Sequence, residues 1–355
     1  MGGILRIACL SAVAVTTALS TALAVAAAPD APASPAAPSA SVFEAREKAF
    51  GVSCRALLYT TDRAGAQTAT AAAFAEIKRI EALFSTGQKD ADIVHLNQTS
   101  GGSAVTVADD TLEALRLGKS LSASTQGAFA LTAAPVTALW HFADSGAAAT
   151  ALPEASLIEA RLGLVDDQSL MLDAAAHTAK LVRKGMAVSL EAIAKGYAVD
   201  RTTSLLTASG FPNALISIGG TIRASGTKQD KSWRIGIQDP RAESYFALVP
   251  LQNQAAATVG DYQRYFDLDG QRYSDRIDPR SGFPTQGLRS VTVLASDAVS
   301  AEALSAAVFV LSAKQGMAWV EAQPGVQTIM VDSQNEVLIS TGLKDLIKIL
   351  RAPTP

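Results

Sequence analysis

Apolar residues recur at helix and strand spacing along most of the chain, but the predicted helices and strands do not alternate strictly. Apolar positions three and four apart predict helices, and β-rich runs between turn residues predict strands. The predicted helices cover 66–83, 109–124, 154–162 and 301–311. The predicted strands and hairpins cover 54–61, 169–182, 232–238, 249–251, 255–258, 265–273, 288–295, 328–332 and 337–340. This mixture favours an α+β fold over a doubly wound parallel sheet.

The stretch from Met186 to Gly226 predicts a strand–helix–strand unit with two turns rich in backbone donors. Ser189 is placed to cap the helix. A buried strand over 213–218 follows, and Gly219-Gly220 ends it where a side chain would obstruct a close approach. Helix N-termini and glycine turns present N–H groups to anions. An α/β crossover that binds nothing has the same pattern, so the spacing leaves both interpretations open.

The first 28 residues have the features of a secretory signal peptide. Arg6 is the single charged residue in this segment, an apolar run follows it, and small residues near its end offer cleavage sites. A retained membrane anchor is disfavoured because no stop-transfer flank follows, and Cys9 lies too near the start for a lipoprotein. Residues 29–40 form a Pro/Ala-rich linker, which leaves 41–350 for the folded domain. We expect an exported, periplasmic protein without a membrane span after signal cleavage.

Charge and cysteine content narrow the classes of partner. A net charge of -3 with 18% charged residues gives no basic surface for nucleic acid, so small molecules and proteins are the expected partners. Cys54 is the one cysteine outside the signal peptide, which excludes an intramolecular disulfide. A buried structural role for Cys54 is favoured over a catalytic thiol, and the three histidines show no metal-ligand spacing.

Nine short motifs follow one another between Phe50 and about Leu343. They are Phe84-Ser-Thr, Leu96-Asn97, Gly127-Ala-Phe129, Trp140-x-Phe142, Ile193-Ala-Lys-Gly-Tyr-Ala-Val-Asp200, Ile218-Gly-Gly, Gly260-Asp-Tyr, Ile277-Asp-Pro-Arg-Ser-Gly-Phe-Pro284 and Ala303-Leu-Ser305. Each motif is weak alone, but in this order the set resembles the ApbE family, the FAD:protein FMN transferases.

The resemblance implies an ApbE-like, T-fold-like fold with two intertwined lobes and a pocket between them. It also implies a Mg²⁺-dependent enzyme that takes FAD as its substrate and splits the pyrophosphate. FMN would then be attached to a threonine of an acceptor flavoprotein in a membrane or periplasmic electron-transfer system. A metal ion that bridges the pyrophosphate would neutralise charge and help AMP to leave.

The resemblance further assigns the residues of the site. Glu302 is expected as a catalytic residue and metal ligand, and Asp275 as a second catalytic residue, either ligand or general base. The Ala192 carbonyl and the position of Ala306 complete the implied metal site. The expected flavin and phosphate contacts are Gly87, Ala128, Phe129, Ala130, Ser189, Lys195, Arg276 and Ser305.

Several site positions depart from the pattern of the family. Asp275 replaces a His, Glu302 replaces an Asp, and Ala306 replaces a Thr. Further departures lie at Phe50-Gly51-Val52, Gly87, Ala130 and Ser189. Single catalytic groups contribute about 10²–10⁴-fold to a rate, so their loss is costly. Two interpretations therefore stand: a transferase with a rebuilt metal site, and a catalytically inactive flavin-binding or accessory relative.

Overall fold

The computed structural model describes residues 39–142 and 151–355 of the protein. The signal peptide predicted over 1–28 lies outside the described residues, as do residues 29–38 of the predicted linker. Residues 143–150, in an alanine-rich stretch of the sequence, also lie outside them. The described residues from 40 onward form one compact unit.

The helices and strands are numbered in chain order. The helices are α1 (Arg63–Phe84), α2 (Asp92–Gln98), α3 (Asp109–Ser124), α4 (Ala134–Thr137), α5 (Ala155–Leu162), α6 (Glu191–Ala208) and α7 (Ala298–Glu321). The strands are β1 (Ser41–Ala49), β2 (Val52–Thr60), β3 (Val105–Thr106), β4 (Leu170–Asp173), β5 (Thr178–Leu181), β6 (Ala214–Ile218), β7 (Thr221–Ser225), β8 (Trp233–Gln238), β9 (Tyr245–Leu251), β10 (Gln254–Gly260), β11 (Tyr265–Leu268), β12 (Gln271–Ser274), β13 (Leu288–Ala295), β14 (Gln327–Asp332), β15 (Val337–Ile339) and β16 (Lys348–Ile349).

A central eight-stranded sheet has the order β1-β2-β6-β7-β10-β13-β14-β15, and each neighbouring pair is antiparallel. Smaller sheets have the orders β16-β9-β8 and β3-β5-β4, and β11 pairs with β12. Helices combined with antiparallel sheets confirm the α+β class. The prediction for 186–226 was wrong in one respect: residues 186–190 form no strand before α6, and α6 leads into the antiparallel hairpin β6–β7.

Both faces of the central sheet are covered. Successive strand residues point to opposite faces, so a strand in such a sheet needs apolar side chains throughout. Strand β6 is buried at all of its positions. Ile216 belongs to the core formed with the helices, and Leu215 belongs to the core formed with Trp233 and Phe246 of the β16-β9-β8 sheet. The central sheet therefore lies between a helical layer and a second sheet.

Most predicted elements are present, with their ends shifted by a few residues. Helix α3 and strand β13 have the predicted bounds. Helix α7 runs beyond the predicted 301–311 because it continues through a kink at Ser312, whose φ is 70°. Strand β1 was not predicted. Its polar side chains suit the exposed edge of a sheet, and they hide the strand pattern.

Helix α7 is long and apolar enough to cross a membrane by composition, with a mean hydropathy of 1.3. In the fold, however, its residues Ala301, Ala303 and Val308 are buried in the cores shared with α6 and the central sheet. We interpret α7 as a core helix, because a helix that is apolar all round is expected inside a large domain.

Helices α6 and α7 approach most closely at Gly196. A Cβ atom added there would lie 2.4 Å from the carbonyl oxygen of Ala298. Asp200, one turn further along α6, accepts hydrogen bonds from the N–H groups of Ala298 and Val299 and pairs with Arg223 of β7. Burial raises the pKa of Asp200 above its usual value, although Arg223 and the N–H groups act against the rise. These contacts hold the start of α7 against α6 and thereby position the site.

Candidate active site

The carboxylate of Glu302 is buried where α7 meets α6. Its Oε2 accepts a hydrogen bond from the Gly196 N–H at 2.6 Å, and its Oε1 lies 2.6 Å from Lys195 Nζ. The side chain of Glu302 is 6% exposed and that of Lys195 is 26% exposed, so the ammonium group covers the carboxylate on the solvent side. Ser305 donates its hydroxyl to the Glu302 carbonyl at 2.7 Å. Both carboxylate oxygens therefore have partners within the chain.

The hairpin β11–β12 brings a second set of charges to the site. Its Asp269-Gly270 turn, with φ values of 52° and 78°, is as predicted from the sequence. Arg264 and Asp275 are the next residues beyond the hairpin, and the Asp275 N–H donates to the Arg264 carbonyl at 2.9 Å. Asp275 accepts two hydrogen bonds from Arg276, at 2.7 and 2.5 Å. The carboxylate and the guanidinium thus form a paired, largely buried unit.

Glu191 joins these two groups, with its carboxylate on one side and its backbone carbonyl on the other. Glu191, in the first turn of α6, lies 2.7 Å from Nη1 of Arg264 through its Oε1, and its backbone carbonyl accepts a hydrogen bond from Lys195 Nζ at 3.3 Å. Arg264 Nη1 also lies 4.0 Å from Asp275 Oδ2. We call this set the ion-pair chain; its members in order are Glu302, Lys195, Glu191, Arg264, Asp275 and Arg276.

The pKa of Arg276 responds to several carboxylates of the ion-pair chain. Burial by itself would lower the pKa of this guanidinium. Attraction and hydrogen bonding to Asp275, with further attraction to Glu191 and Glu302, outweigh burial and raise the pKa above its usual value. Arg276 therefore stays charged although it is buried, and it responds to carboxylates on both α6 and α7.

The structure brings together only part of the set expected from the sequence. Glu302, Lys195, Ser305, Asp275 and Arg276 converge at the ion-pair chain. Ala192 lies on the first turn of α6, between Glu191 and Lys195 in the chain.

The remaining expected contacts have other surroundings. Ala128 and Phe129 are buried in the main core, so their side chains serve packing. Ala130 borders a separate cavity of about 430 Å³ with Asp167 and Arg280. Gly87 lies in an exposed turn after α1, where its N–H donates to the Ser85 hydroxyl.

Ser189 supports α6 in a different way from the predicted cap. The N-cap residue is Leu190, which makes no side-chain cap hydrogen bond. The Ser189 hydroxyl accepts the Glu191 N–H at 3.2 Å, and the Ser189 N–H donates to the Leu131 carbonyl at 3.0 Å. Ser189 therefore ties the segment that follows Gly127 to the first turn of α6.

The magnesium site implied around Glu302 lacks one of its side-chain oxygen ligands. Mg²⁺ prefers octahedral coordination by oxygen, and Ala306 offers only a methyl group at its implied ligand position. The ammonium group of Lys195 already lies against Oε1 of Glu302. In the part of the chain that the structure describes, no group of three or more His, Cys, Asp or Glu residues could hold a metal ion. The residues present do not fit the implied metal site.

Sequence reasoning missed Glu191 and Arg264. A signal for Arg264 was present, because a two-residue turn at Asp269-Gly270 sets a register in which residue 264 lies opposite Asp275. Glu191 had no comparable signal. It meets Arg264 across 73 residues of sequence, and only the packing of the hairpin against α6 joins them.

A group of aromatic rings adjoins the ion-pair chain. Its members are Trp140, Phe142, Phe266, Tyr273 and Phe283, whose neighbouring ring centroids lie 5.3–6.3 Å apart. Arg264 connects the two groups, because its Nη2 donates to the Phe142 carbonyl at 3.3 Å. The Trp140 indole N–H donates to the Gly282 carbonyl at 2.9 Å, which fixes the turn that carries Phe283.

This fold and site define an α+β protein with a charged cluster beside a packed group of aromatic rings. A model of the ApbE family matches residues 50–330, and the chain belongs to that family.

Relatives of known name cover most of the chain. A protein from Klebsiella pneumoniae (strain 342) named FAD:protein FMN transferase is 31% identical over 287 residues, which are 80% of this chain and 87% of the relative. A protein of the same name from Treponema pallidum (strain Nichols) is 31% identical over 326 residues, which are 86% of this chain and 89% of the relative. The similarity therefore extends over nearly the whole of both relatives.

Solved structures agree with the fold. The ApbE protein of Thermotoga maritima superposes with a TM-score of 0.78 at 30% identity and covers 86% of this chain and 99% of its own. The apo form of the flavinyl transferase ApbE of Pseudomonas stutzeri gives a TM-score of 0.77 at 29% identity, with coverage of 86% and 97%. The antiparallel sheets and helices described above are thus those of ApbE proteins.

Proposed function

We propose that this protein is a FAD:protein FMN transferase. The observation that carries the proposal is the family match over residues 50–330 together with relatives of that name at 31% identity. The convergence of Lys195, Arg264 and Arg276 supports it, because their side chains bring several N–H donors to one place, and such donors suit the oxygens of a pyrophosphate substrate. The acceptor is a threonine hydroxyl of an exported or membrane electron-transfer protein.

The reaction exchanges one phosphorus–oxygen bond for another. The threonine oxygen bonds to the phosphorus of the FMN half of FAD, and the bond from that phosphorus to the bridging oxygen breaks. The bridging oxygen leaves with AMP and its electron pair, and the hydroxyl proton moves to the departing phosphate. The products are flavinylated protein and AMP. Positioned cations stabilise the negative charge that grows on the departing phosphate.

Each member of the ion-pair chain has a role in this proposal. Lys195 and Arg264 contact the phosphate oxygens, and Glu302 and Glu191 hold these two cations in place. Asp275 orients Arg276 towards the flavin or its phosphate, since both of its carboxylate oxygens accept hydrogen bonds from that guanidinium. In the aromatic group, Phe283 is 44% exposed and offers apolar surface for a ring of FAD.

The magnesium dependence implied by the resemblance is left out of this mechanism, because the donor set around Glu302 does not fit the ion. Location belongs to the proposal: a signal peptide over residues 1–28 would deliver the protein to the periplasm, where it meets exported acceptors. The linker over 29–40 would separate the cleavage site from the folded part.

The test is transfer of flavin to an acceptor domain that carries the family's target threonine. Purified protein, FAD and acceptor are incubated with and without Mg²⁺, and flavin fluorescence of the acceptor is measured after denaturing electrophoresis. We expect a fluorescent acceptor and release of AMP in equal amounts. Glu302→Ala should reduce the rate by roughly 10²-fold or more, since it frees the cation that the carboxylate orients.

The matched control is Asp345→Ala, which removes an exposed carboxylate near the C-terminus and should leave the rate unchanged. Binding of FAD without transfer under all conditions would contradict the proposal. That outcome would favour the alternative of a catalytically inactive flavin-binding relative. A lack of FAD binding would contradict both.

A further inference from the structure

We infer that Lys195 takes the place of a divalent cation at this site, so that FAD binding and flavin transfer proceed without a metal ion. The inference rests on the proposed function and concerns the source of positive charge at the pyrophosphate. It begins from the disagreement between the magnesium site that the resemblance implies and the residues that surround Glu302.

The first argument is the position of the ammonium group. Lys195 Nζ lies 2.6 Å from Oε1 of Glu302, and the Gly196 N–H lies 2.6 Å from Oε2. A metal ion that used this carboxylate would have to displace two donors and approach a like charge. Ala306 supplies no oxygen in return. The positive charge of Lys195 already neutralises the negative charge of Glu302.

The second argument is the capacity of Lys195 to bind a further anion. An ammonium group has three N–H donors, and the contacts within the described residues use two, one to Glu302 and one to the Glu191 carbonyl. One donor remains for a phosphate oxygen. The side chain is 26% exposed, whereas Glu302 is 6% exposed, so the ammonium is the side of the pair that a ligand meets.

The third argument is a second cation with an unused donor. The Nε of Arg264 is buried and has no hydrogen-bond partner among the described residues. Buried N–H groups without partners are rare in folded proteins, and a bound acceptor would satisfy this one. Lys195 contacts the backbone carbonyl of Glu191, and Arg264 contacts its carboxylate. Each of the two cations is already paired with a carboxylate, so what they offer a pyrophosphate is their remaining N–H donors and not a net positive charge.

Lys195 then serves the reaction in the way a metal ion would. As the bond from the FMN phosphorus to the bridging oxygen breaks, negative charge moves to the AMP phosphate. A fixed ammonium beside that oxygen stabilises the charge without any change in coordination. The proton of the threonine hydroxyl reaches the departing phosphate, so no other reactant is needed.

The experiment measures FAD binding and transfer in parallel. The purified protein is treated with EDTA. FAD affinity is then measured by flavin fluorescence, once in EDTA and once in 5 mM Mg²⁺, which is about the concentration that fills a weak magnesium site. We expect dissociation constants that agree within about twofold. Titration with Mn²⁺ alone should give no site that depends on Glu302. Transfer should likewise persist in EDTA.

Variants separate the charge of Lys195 from its packing. Lys195→Met should weaken FAD binding about tenfold or more, with no recovery on adding Mg²⁺. Lys195→Arg should keep most of the affinity. The double variant Lys195→Met with Glu302→Gln avoids a buried unpaired carboxylate and should weaken FAD binding while it keeps the melting temperature. Lys314→Met, which removes an exposed lysine from α7, is the matched control and should bind FAD normally.

Three results would overturn the inference. FAD binding or transfer that falls more than tenfold in EDTA and returns with Mg²⁺ would sink it, yet would leave the proposed transferase function intact. The absence of FAD binding in both buffers would remove the proposed function as well. Normal FAD affinity in the double variant would show that the ammonium has no part in binding.

Discussion

Lys195 Nζ lies 2.6 Å from Glu302 Oε1 across the point where α6 and α7 meet, and the neighbouring Gly196 is what allows the two helices to come so close. The backbone of Gly196 also contributes to the site, because its N–H binds the other oxygen of Glu302. A packing contact and a candidate functional contact therefore depend on the same residue. This dependence can be tested.

Gly196→Ala should destabilise the protein by about 1–3 kcal/mol, the usual cost of extra volume in a packed core. The added Cβ would lie 2.4 Å from the Ala298 carbonyl oxygen, and a backbone atom cannot move aside as a flexible side chain can. Urea unfolding followed by tryptophan fluorescence measures the change, and FAD affinity should fall with it.

Gly163→Ala is the control for that substitution. Gly163 ends α5 with an ordinary φ of -58°, and a Cβ there would lie 3.7 Å from its nearest neighbour, the Ala160 carbonyl oxygen. Its free energy of unfolding should change by about 0.5 kcal/mol or less. Equal stabilities of the two variants would contradict the close crossing of α6 and α7.

The acidic residues Glu76 and Asp110 should make stability depend on pH. Hydrogen bonds from Arg79 lower the pKa of Glu76. Burial acts to raise the pKa of Asp110, but hydrogen bonds from Tyr197 and Arg79 outweigh it and lower the value. Because the pKa values in the folded protein lie below those in the unfolded chain, this stabilisation is complete when the pH is above the unfolded pKa values. It is lost as the pH falls through the folded pKa values.

Arg79→Met should therefore lower the free energy of unfolding at pH 7 and flatten its decline between about pH 5 and pH 3. Urea unfolding at several pH values measures both effects. The control is Arg116→Met, which removes a pair between more exposed side chains, Arg116 and Glu113, and should have a smaller effect. If the free energy of unfolding of Arg79→Met declined with falling pH as steeply as that of the unaltered protein, Arg79 would not be the source of the pH dependence.

Cys54 should resist thiol reagents in the folded protein. Its side chain is fully buried in β2, and burial raises the pKa of the thiol to about 11. The reactive thiolate is therefore scarce at pH 8 and inaccessible. Ellman's reagent should react with the mature protein only after denaturation, whereas the variant Ser209→Cys should give one fast equivalent, since position 209 is exposed. Fast labelling of Cys54 in the native state would contradict a structural role.

Local sequence patterns predicted the helices and strands whose ends are marked by residues typical of a turn. The Asp269-Gly270 turn predicts the hairpin β11–β12, because a two-residue turn with positive φ at both positions suits these residues. Strand β1 escaped prediction because an edge strand with alternating charges has no apolar run. The predicted helix over 301–311 ended one residue before Ser312, where α7 has a kink and then continues to Glu321.

The site was predicted less completely than the fold. The family resemblance assigned Glu302, Lys195, Asp275 and Arg276, and the structure gathers them. It could not reveal that Lys195 neutralises Glu302. The two residues are 107 positions apart in the sequence, and their side chains meet only after α6 and α7 pack.

By itself, the sequence determined the secondary-structure types, the α+β class and the family, because propensity, turn chemistry and motif order are local or linear properties. Tertiary structure alone decided which charges meet. The pairing of Glu191 with Arg264, and of Lys195 with Glu302, depends on a helix crossing that Gly196 permits and a hairpin register that Asp269-Gly270 sets. Electrostatic energies change steeply over a few ångströms, so the chemistry of the site follows from packing that sequence spacing does not specify.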